Sequence, residues 1–584
     1  MSQLDIFSKD ILADTIVNYW ERLSSERTVW MNRMQRVREY LNAPDTAYTE
    51  NSNLPWKNKT VIPKLTQIYD NLLAQYMQTI IPDDNWVAFE EDYPTADQST
   101  DSKTEQYIRQ KIEDSNTRET IRELLSDYIF PGMACVGVEH VHNKVKSLVD
   151  GEDTTKYKGS KIFRVDYRDF VIEPKANNYE ESIFIRRREV PISNLIKHND
   201  TNPLIKYDEN AINKAVELRN YIRTTEDALK NSSLRVDGFS SAEDYFNSGR
   251  VELLEFWGDI YDEETGELLE NQTIAVIDRM YVLYNVSNPI WNGMRPYVVT
   301  GWRARPGNLY AQSPLEQLVG IQYRIDHLEN LKADIMDLIA YPMTVIYGTP
   351  TEDFQFEPGG VFYAGNEGRV DVLAPQANAL QADTYIMTYM NLMEEMAGAP
   401  KMTAGHRTPG EKTKFEVSVL EQGANKMYLE KVTHFEDTLI EPMLNLFYVI
   451  LAMNFDSEDI IRYFDDDVEA LEVIKVNKED VIRDGRVKPI GSKNYRQKQK
   501  DLSEISQAMQ ILSSTDLTSA HVDGYAISKA IEQKLDFEKY EFIKRFKGIT
   551  DRVDAQAAAQ RHTQEASETL GGQVNGNSPD QQGT

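Results

Sequence analysis

The chain has 584 residues, with 64 Lys and Arg against 94 Asp and Glu and a formal net charge of −30. A general nucleic-acid binder gains its affinity by neutralising phosphates, so this balance excludes one: the protein either has no business with DNA or handles it without gripping it. The single cysteine, Cys135, excludes an internal disulfide and every multi-cysteine zinc pattern.

The length suits two to four domains, and 41% hydrophobic content with 27% charged residues suits an ordinary globular core. Met1 to Asp10 carries neither the basic nor the apolar part of a secretory leader. The most apolar run, Leu446 to Met453, is too short for a bilayer. The expectation is a soluble protein made in a reducing cytosol, with no membrane contact and with Cys135 as a small buried apolar group.

Helices come first. Ile11, Ile16, Tyr19, Trp20, Leu23, Val29 and Trp30 recur at helical spacing, followed by Arg33, Arg36 and Arg38. Asn53 to Lys59 is rich in turn residues. A second helix from about Pro63 carries Leu65, Ile68, Leu72, Tyr76 and Ile80, and stops at Ile81-Pro82. Residues 101–130 read as helix and Gly132 to Val145 as strand. Strands then dominate up to about Tyr310: Ile162 to Val171, Ser182 to Val190, Val251 to Ile260, Thr273 to Asn285 and Pro296 to Arg303 alternate or hold β-branched and aromatic residues. Asp262 to Gly266 suits a hairpin turn, and residues 208–248 form a polar, helical interruption. No internal repeat is visible.

Ser313-Pro314 then opens a long helix to Tyr341, a hydroxyl for capping followed by a proline suited to the first turn. At full length it spans about 40 Å. Leu315, Leu318, Ile325, Leu328, Ile335 and Leu338 follow a helical stripe, while Asp326, Asn330, Asp334 and Asp337 line another face. A rod so patterned needs neighbours to cover it. Short strands are expected at Met343–Tyr347, Gly359–Tyr363 and Val370–Leu373, and a second helix over Ala379 to Met396, ended by Gly398-Ala-Pro400. Lys401 to Glu411 reads as a loop with Gly405, Pro409 and Gly410. A third helix runs from about Lys412 to Phe455, with Pro442 inside it removing one backbone bond and forcing a kink. Residues 456–484 are acidic with short strands. Residues 486–500 hold six Lys or Arg and no acid and read as a cationic helix entry. Asp501 to Glu565 is helical, and the tail beyond Glu568 has a disordered composition.

Motifs for chemistry are few. No Gly-Lys dipeptide occurs, so no Walker phosphate loop is present, and neither a His-Glu-x-x-His nor a Gly-x-Ser-x-Gly motif appears. Gly359 to Gly365 lacks dinucleotide spacing. His140 and His142 alternate on a strand as incidental surface histidines, and Asp465-Asp-Asp467 reads as a solvated turn. The expectation is a protein without catalytic residues, metal or cofactor. Three features stand out instead: the helix–insert–helix unit 313–398, the basic loop with Lys401, His406, Arg407 and Lys412 against Glu411, and the basic run 486–500.

Taken in order, these pieces resemble the portal proteins, the head-to-tail connectors of tailed bacteriophages. The resemblance rests on Asn288-Pro289 ahead of Gly293 and Pro296, Leu309 to Glu316 opening a helix with Gln322 and Asn330, Gly398-Ala-Pro400, Lys412 to Glu416 at the entry to a long helix, and Phe435 to Pro442 within it. Trp56-Lys-Asn-Lys-Thr60, Pro63-Lys64 and Ile68-Tyr-Asp70 are similar to that family too; the family's usual Gly near Tyr310 is replaced by Ala311-Gln312. The resemblance implies an α+β, helix-rich fold with wing, stem, clip and crown regions, assembling as a twelve-fold ring around a DNA channel. Residues 1–312 and 456–494 would form the wing, 313–341 and 379–398 the stem helices, and 342–378 the clip. Residues 399–411 would be the tunnel loop, 412–455 the long helix kinked at Pro442, 495–565 the crown and 566–584 a disordered tail.

On the same resemblance, Asp326, Asp334 and Asp337 would line the channel, and Glu352, Asp353 and Glu357 would form the clip's docking surface. The clip segment 342–378 has five acids and one arginine, which twelve copies would multiply into a repelling wall. Lys401, His406, Arg407 and Lys412 would reach toward the phosphates of passing DNA. Implied partners are further copies of the chain, viral double-stranded DNA, the major capsid protein and scaffold, the terminase, and tail adaptor or neck proteins. The implied place is the virion's portal vertex, after synthesis in the host cytoplasm. Two alternatives stay open: another ring component such as a tail adaptor, usually much smaller than 67.2 kDa, and a metal-dependent DNA-processing enzyme.

Overall fold

A computed structural model describes residues 11–42, 58, 60–81, 86–91, 98–146, 153–201, 205–222, 249–262, 266–340, 342–346, 370–373, 382–397, 428–456, 458–465 and 470–491. The fold is mixed α+β. The chain divides into two units, residues 1–461 with 474–492, and residues 462–473 with 493–584. Of the second, only the ends of two strands, Glu458–Asp465 and Ala470–Asn477, are described. The expected Gly359–Tyr363 strand and the clip's docking acids Glu352, Asp353 and Glu357, together with the tunnel loop, crown and tail, lie outside the described residues.

In the first unit, α1 (Ile11–Asn42) packs on a five-stranded antiparallel sheet of β4 (Phe170–Ile172), β5 (Phe184–Pro191), β6 (Arg250–Asp262), β7 (Glu267–Ile277) and β8 (Tyr281–Ser287), hydrogen-bonded in that order. Period-two alternation assigns the two faces. Leu254, Phe256, Ile274 and Val276 meet Ile16, Trp20 and Leu23 of α1. Their sequence neighbours Leu253, Ala275 and Ile277 turn the other way, onto Leu195 of α5 (Ile192–Thr201) and Ala211, Ile212 and Ala215 of α6 (Glu209–Ile222). The sheet is therefore covered on both sides.

Thr273 to Asn285 is not one strand, as its composition suggests, but two. Asp278 and Arg279 both have positive φ, 46° and 57°, and Met280 N–H bonds to Ile277 O at 3.0 Å, the pattern of a tight hairpin turn. Neither residue is glycine, so the left-handed backbone is held by side chains: Glu252 N–H bonds to Asp278 Oδ1 at 3.2 Å, and Arg279 donates to both Glu252 oxygens at 2.8 and 2.9 Å.

A second sheet orders β3 (Asp153–Val165), β2 (Met133–Lys146) and β9 (Tyr297–Gly301). Cys135 lies buried in it, as the sequence suggests. The helical stretch 101–130 is two helices, α3 (Gln98–Asp114) and α4 (Thr117–Ile129), broken at Asn116 with φ 57°. The largest apolar cluster joins α2 (Lys64–Ile80), α4, β2 and the late helix through Leu65, Leu72, Tyr76, Tyr128, Phe435 and Phe447.

That late helix is described over 428–453, part of the expected 412–455. Directly ahead of Pro442 it widens into a π-turn, Glu436–Ile440, closed by Glu441 N–H onto Glu436 O, before continuing as α9 (Glu441–Met453). The distortion falls where a proline deprives the ladder of a donor. The cationic run 486–500 does not begin as a helix: Gly485–Pro489 is a strand, with Val487 opposite Phe89 of β1 (Val87–Glu91). Val487 is buried there, so strand pairing and core contact decide the local conformation.

Candidate functional site

The helix–insert–helix unit is present in chain order. Helix α7 (Val319–Ala340) leads to β10 (Met343–Ile346), β11 (Val370–Leu373) pairs with it antiparallel, and α8 (Ala382–Ala397) follows. Lys332 of α7 bonds to Asp383 of α8 at 2.8 Å and to Glu329 at 2.7 Å. The hydrogen bond to Asp383, then that to Glu329, raises the Lys332 pKa.

Helix α7 starts later than its Ser313-Pro314 signal. Residues 314–318 are turns, with Glu316 N–H onto Ser313 O at 3.2 Å and Leu318 N–H onto Leu315 O at 3.0 Å. The Ser313 hydroxyl does accept from Leu315 N–H, at 3.1 Å, but it also donates to Ile129 O at 2.9 Å. Gly132, with φ +89°, presses against the Ser313 backbone, where an added Cβ would stand 2.6 Å from Ser313 Cα. The tertiary contact holds these residues in turns.

The acidic face of α7 does not form an open wall. Asp326 is 0% exposed, Asp334 is 2% exposed, and Asp337 is half-buried. What covers them comes from the same chain: residues 58 and 60–62 and the first turn of α2. Leu65 N–H donates to Gln322 Oε1 at 3.1 Å, Ile62 N–H to Asp326 Oδ1 at 3.1 Å, Thr60 N–H to Asn330 Oδ1 at 2.7 Å, and Asn58 N–H to Asp334 Oδ1 at 3.2 Å. Asn58 Nδ2 reaches both Asp334 and Asp337, at 2.9 and 2.8 Å, and Gln322 returns a bond to Ile62 O at 2.6 Å. The stripe is thus a ladder of acceptors for main-chain donors, those of Asn58 and Ile62 partly buried and that of Leu65 buried. Asp326 and Asp334 are therefore taken up by the fold of their own chain, and Asp337 is engaged by Asn58.

Asp326 Oδ2 is buried and accepts no hydrogen bond among the described residues. Burial drives the Asp326 pKa up, against the opposing bonds from Gln322 and the Ile62 amide. Nearby, Lys64 Nζ forms a buried ion pair with Glu394 of α8, tying α2 to the second helix of the hairpin.

Helix α7 is inverted for a single chain. Its buried residues are Gln322, Ile325, Asp326, Asn330 and Asp334, all but one polar, while Tyr323, Leu331, Met336 and Ile339 are exposed. On α8, Tyr385 at 63% and Met387 at 66% are exposed, as are Leu392 and Met396.

Lys401, His406, Arg407, Lys412, Glu352, Asp353 and Glu357 lie outside the described residues. Among the described residues no group of three or more His, Cys, Asp or Glu could hold a metal ion, and no helix is long and apolar enough to cross a membrane. A composite network on the two sheets escaped sequence reasoning. Glu255 accepts from Arg188 at 3.1 Å and from the Tyr297 hydroxyl at 3.1 Å, and Arg186 donates to Tyr297 at 3.1 Å. Only the alternation of Arg186 and Arg188 along β5 hinted at it. Comparison with protein-family models and with curated proteins finds no match to this chain.

Proposed function

We propose that this chain is the subunit of a portal ring at a phage capsid vertex: a channel for double-stranded DNA and a docking site for the terminase and later for tail adaptor proteins. It performs no reaction of its own. The support comes from the inverted burial on α7 and its continuation on α8. A helix with its polar side buried and Tyr323, Leu331, Met336 and Ile339 in water forfeits hydrophobic free energy, about 1.5–3 kcal/mol for each large apolar side chain left uncovered. Copies packed side by side would recover it, and a head-to-tail contact between identical subunits generates a ring when its rotation closes. The order helix, short sheet, helix, then long interrupted helix suits the same reading.

Negative-stain imaging of the purified chain, with its mass in solution, tests the proposal. Annuli with a central hole and a mass of many 67.2 kDa copies are expected. A monodisperse monomer that stays monomeric in infected-cell particles overturns it.

A further inference from the structure

Between the two sheets lies a cavity of about 370 Å³, in the size range of small-molecule sites. Its walls bring together side chains far apart in sequence: His140 of β2, Arg186 and Arg188 of β5, Glu255 and Trp257 of β6, and Tyr297 of β9. Its floor is the buried network just described. Burial alone would push the Glu255 carboxyl up, but the Arg188 and Arg186 charges outweigh it and hold the group below its ordinary value. That carboxylate is therefore ionised and already engaged.

The cavity is left rich in donors. Two guanidiniums bring more N–H groups than Glu255 and Tyr297 accept. Trp257 is only 5% exposed, and its buried Nε1–H meets no acceptor among the described residues. An orphaned donor in a cavity of this size is an unfilled requirement for a ligand acceptor. Glu139 also lines the cavity but is exposed to solvent, where its charge is screened. The walls are also flat. His198 stacks on Tyr207 with centroids 3.9 Å apart and planes 6° apart, and Tyr207 stacks on Tyr284 at 5.6 Å and 4°. Arg186 lies over Phe163 at 4.6 Å.

From this combination we infer that the cavity is a binding site for a small planar ring carrying an oxyanion, with the ring between the aromatic walls and the oxyanion facing Arg186, Arg188 and Trp257 Nε1. The proposal does not depend on ring assembly. A free nucleotide and an aromatic carboxylic acid share this chemistry, and the choice between them is experimental.

Titration calorimetry of the full chain with adenosine 5′-monophosphate, benzoate, adenosine and inorganic phosphate separates the requirements. At least one of the first two should bind, with adenosine and phosphate at least about tenfold weaker, as expected when ring and oxyanion each supply more than 1.4 kcal/mol. Trp257→Phe keeps the ring and removes the donor; it should weaken binding about 3- to 10-fold while leaving the melting temperature near that of the parent. Arg188→Gln should weaken it further. Absence of binding by both anions at millimolar concentration overturns the inference. So does phosphate binding as tightly as the nucleotide, or affinity unchanged in both variants.

Discussion

Ile62 gives its backbone N–H to Asp326 Oδ1 at 3.1 Å, across 264 residues of chain. The bond turns an acidic helix face into the seat of a segment distant in the same chain, and it makes Asp326 both necessary as an acceptor and costly as a charge. Asp326→Ala should destabilise the protein by about 1–3 kcal/mol, since it strands two buried donors. Asp326→Asn keeps an acceptor and removes the buried charge, so it should stay within about 1 kcal/mol of the parent at neutral pH. Burial raises the folded-state pKa of this carboxyl above the unfolded one. Its contribution to stability is therefore greatest below the unfolded value and is lost as pH rises through the folded one. Denaturant unfolding across acidic to neutral pH should show that limb flattened in Asp326→Asn.

The buried Lys64–Glu394 pair gives a second prediction. Removing one partner leaves an uncompensated buried charge, so Glu394→Ala should cost about 3–5 kcal/mol. Replacing both, Lys64→Met with Glu394→Leu, should recover most of that loss. Chemical denaturation of the singles and the double closes the cycle, and hydrogen exchange over residues 382–397 should report looser protection in Glu394→Ala alone.

Exposed apolar groups on α7 and α8 carry the ring proposal, and they can be changed without touching a core. Met387 is 66% exposed, and Ile339 is exposed as well. Ile339→Lys with Met387→Glu should leave the subunit's unfolding midpoint within about 0.5 kcal/mol per site, as for other surface changes. Particle imaging and light scattering should nevertheless lose the annuli. Rings that persist unaltered would mean that these helices are not the contact.

His140 is held neutral to an unusually low pH. Burial first, then the positive charges of Lys158 and His142, bring its pKa down to about 4. Between that value and the ordinary one the unfolded chain binds the extra proton, so stability falls as pH drops through this window. His140→Gln should flatten the acid limb of the stability profile between about pH 6.5 and 4. The imidazole shift, followed by NMR, should titrate near the lower end.

Strands were legible wherever one period ruled: Gly132 to Val145 matches Met133–Lys146 almost residue for residue, because a buried sheet leaves little freedom in pattern or register. The hairpin inside Thr273 to Asn285 was not, since Asp278 and Arg279 lack the usual glycine and their backbone is stabilised by Glu252, distant in sequence. Helical spacing correctly grouped Asp326, Asn330 and Asp334 on one face but could not say what covers it. The cover is recognised mostly through main-chain amides, which nearly every residue possesses; the Asn58 side chain, donating to Asp334 and Asp337, is the residue-specific part of it. A free acidic stripe and an acceptor ladder have the same spacing. The Glu255 network was hidden for a similar reason, its members lying on three strands far apart in sequence.

The clasp of residues 58–65 on α7 also behaves as a vernier. From Asp326 to Asp334 the acceptors step by four helical residues, about 6.0 Å, while the donors Ile62, Thr60 and Asn58 step by two, about 6.6 Å at full extension, so these rungs slip by up to about half an ångström. The step from Leu65 to Ile62 takes three residues because α2 has already begun at Lys64. By Asn58 the main chain still meets Asp334 at 3.2 Å, but Asp337 is reached by a side chain instead. The incommensurate pitches cap the overlay at a few rungs.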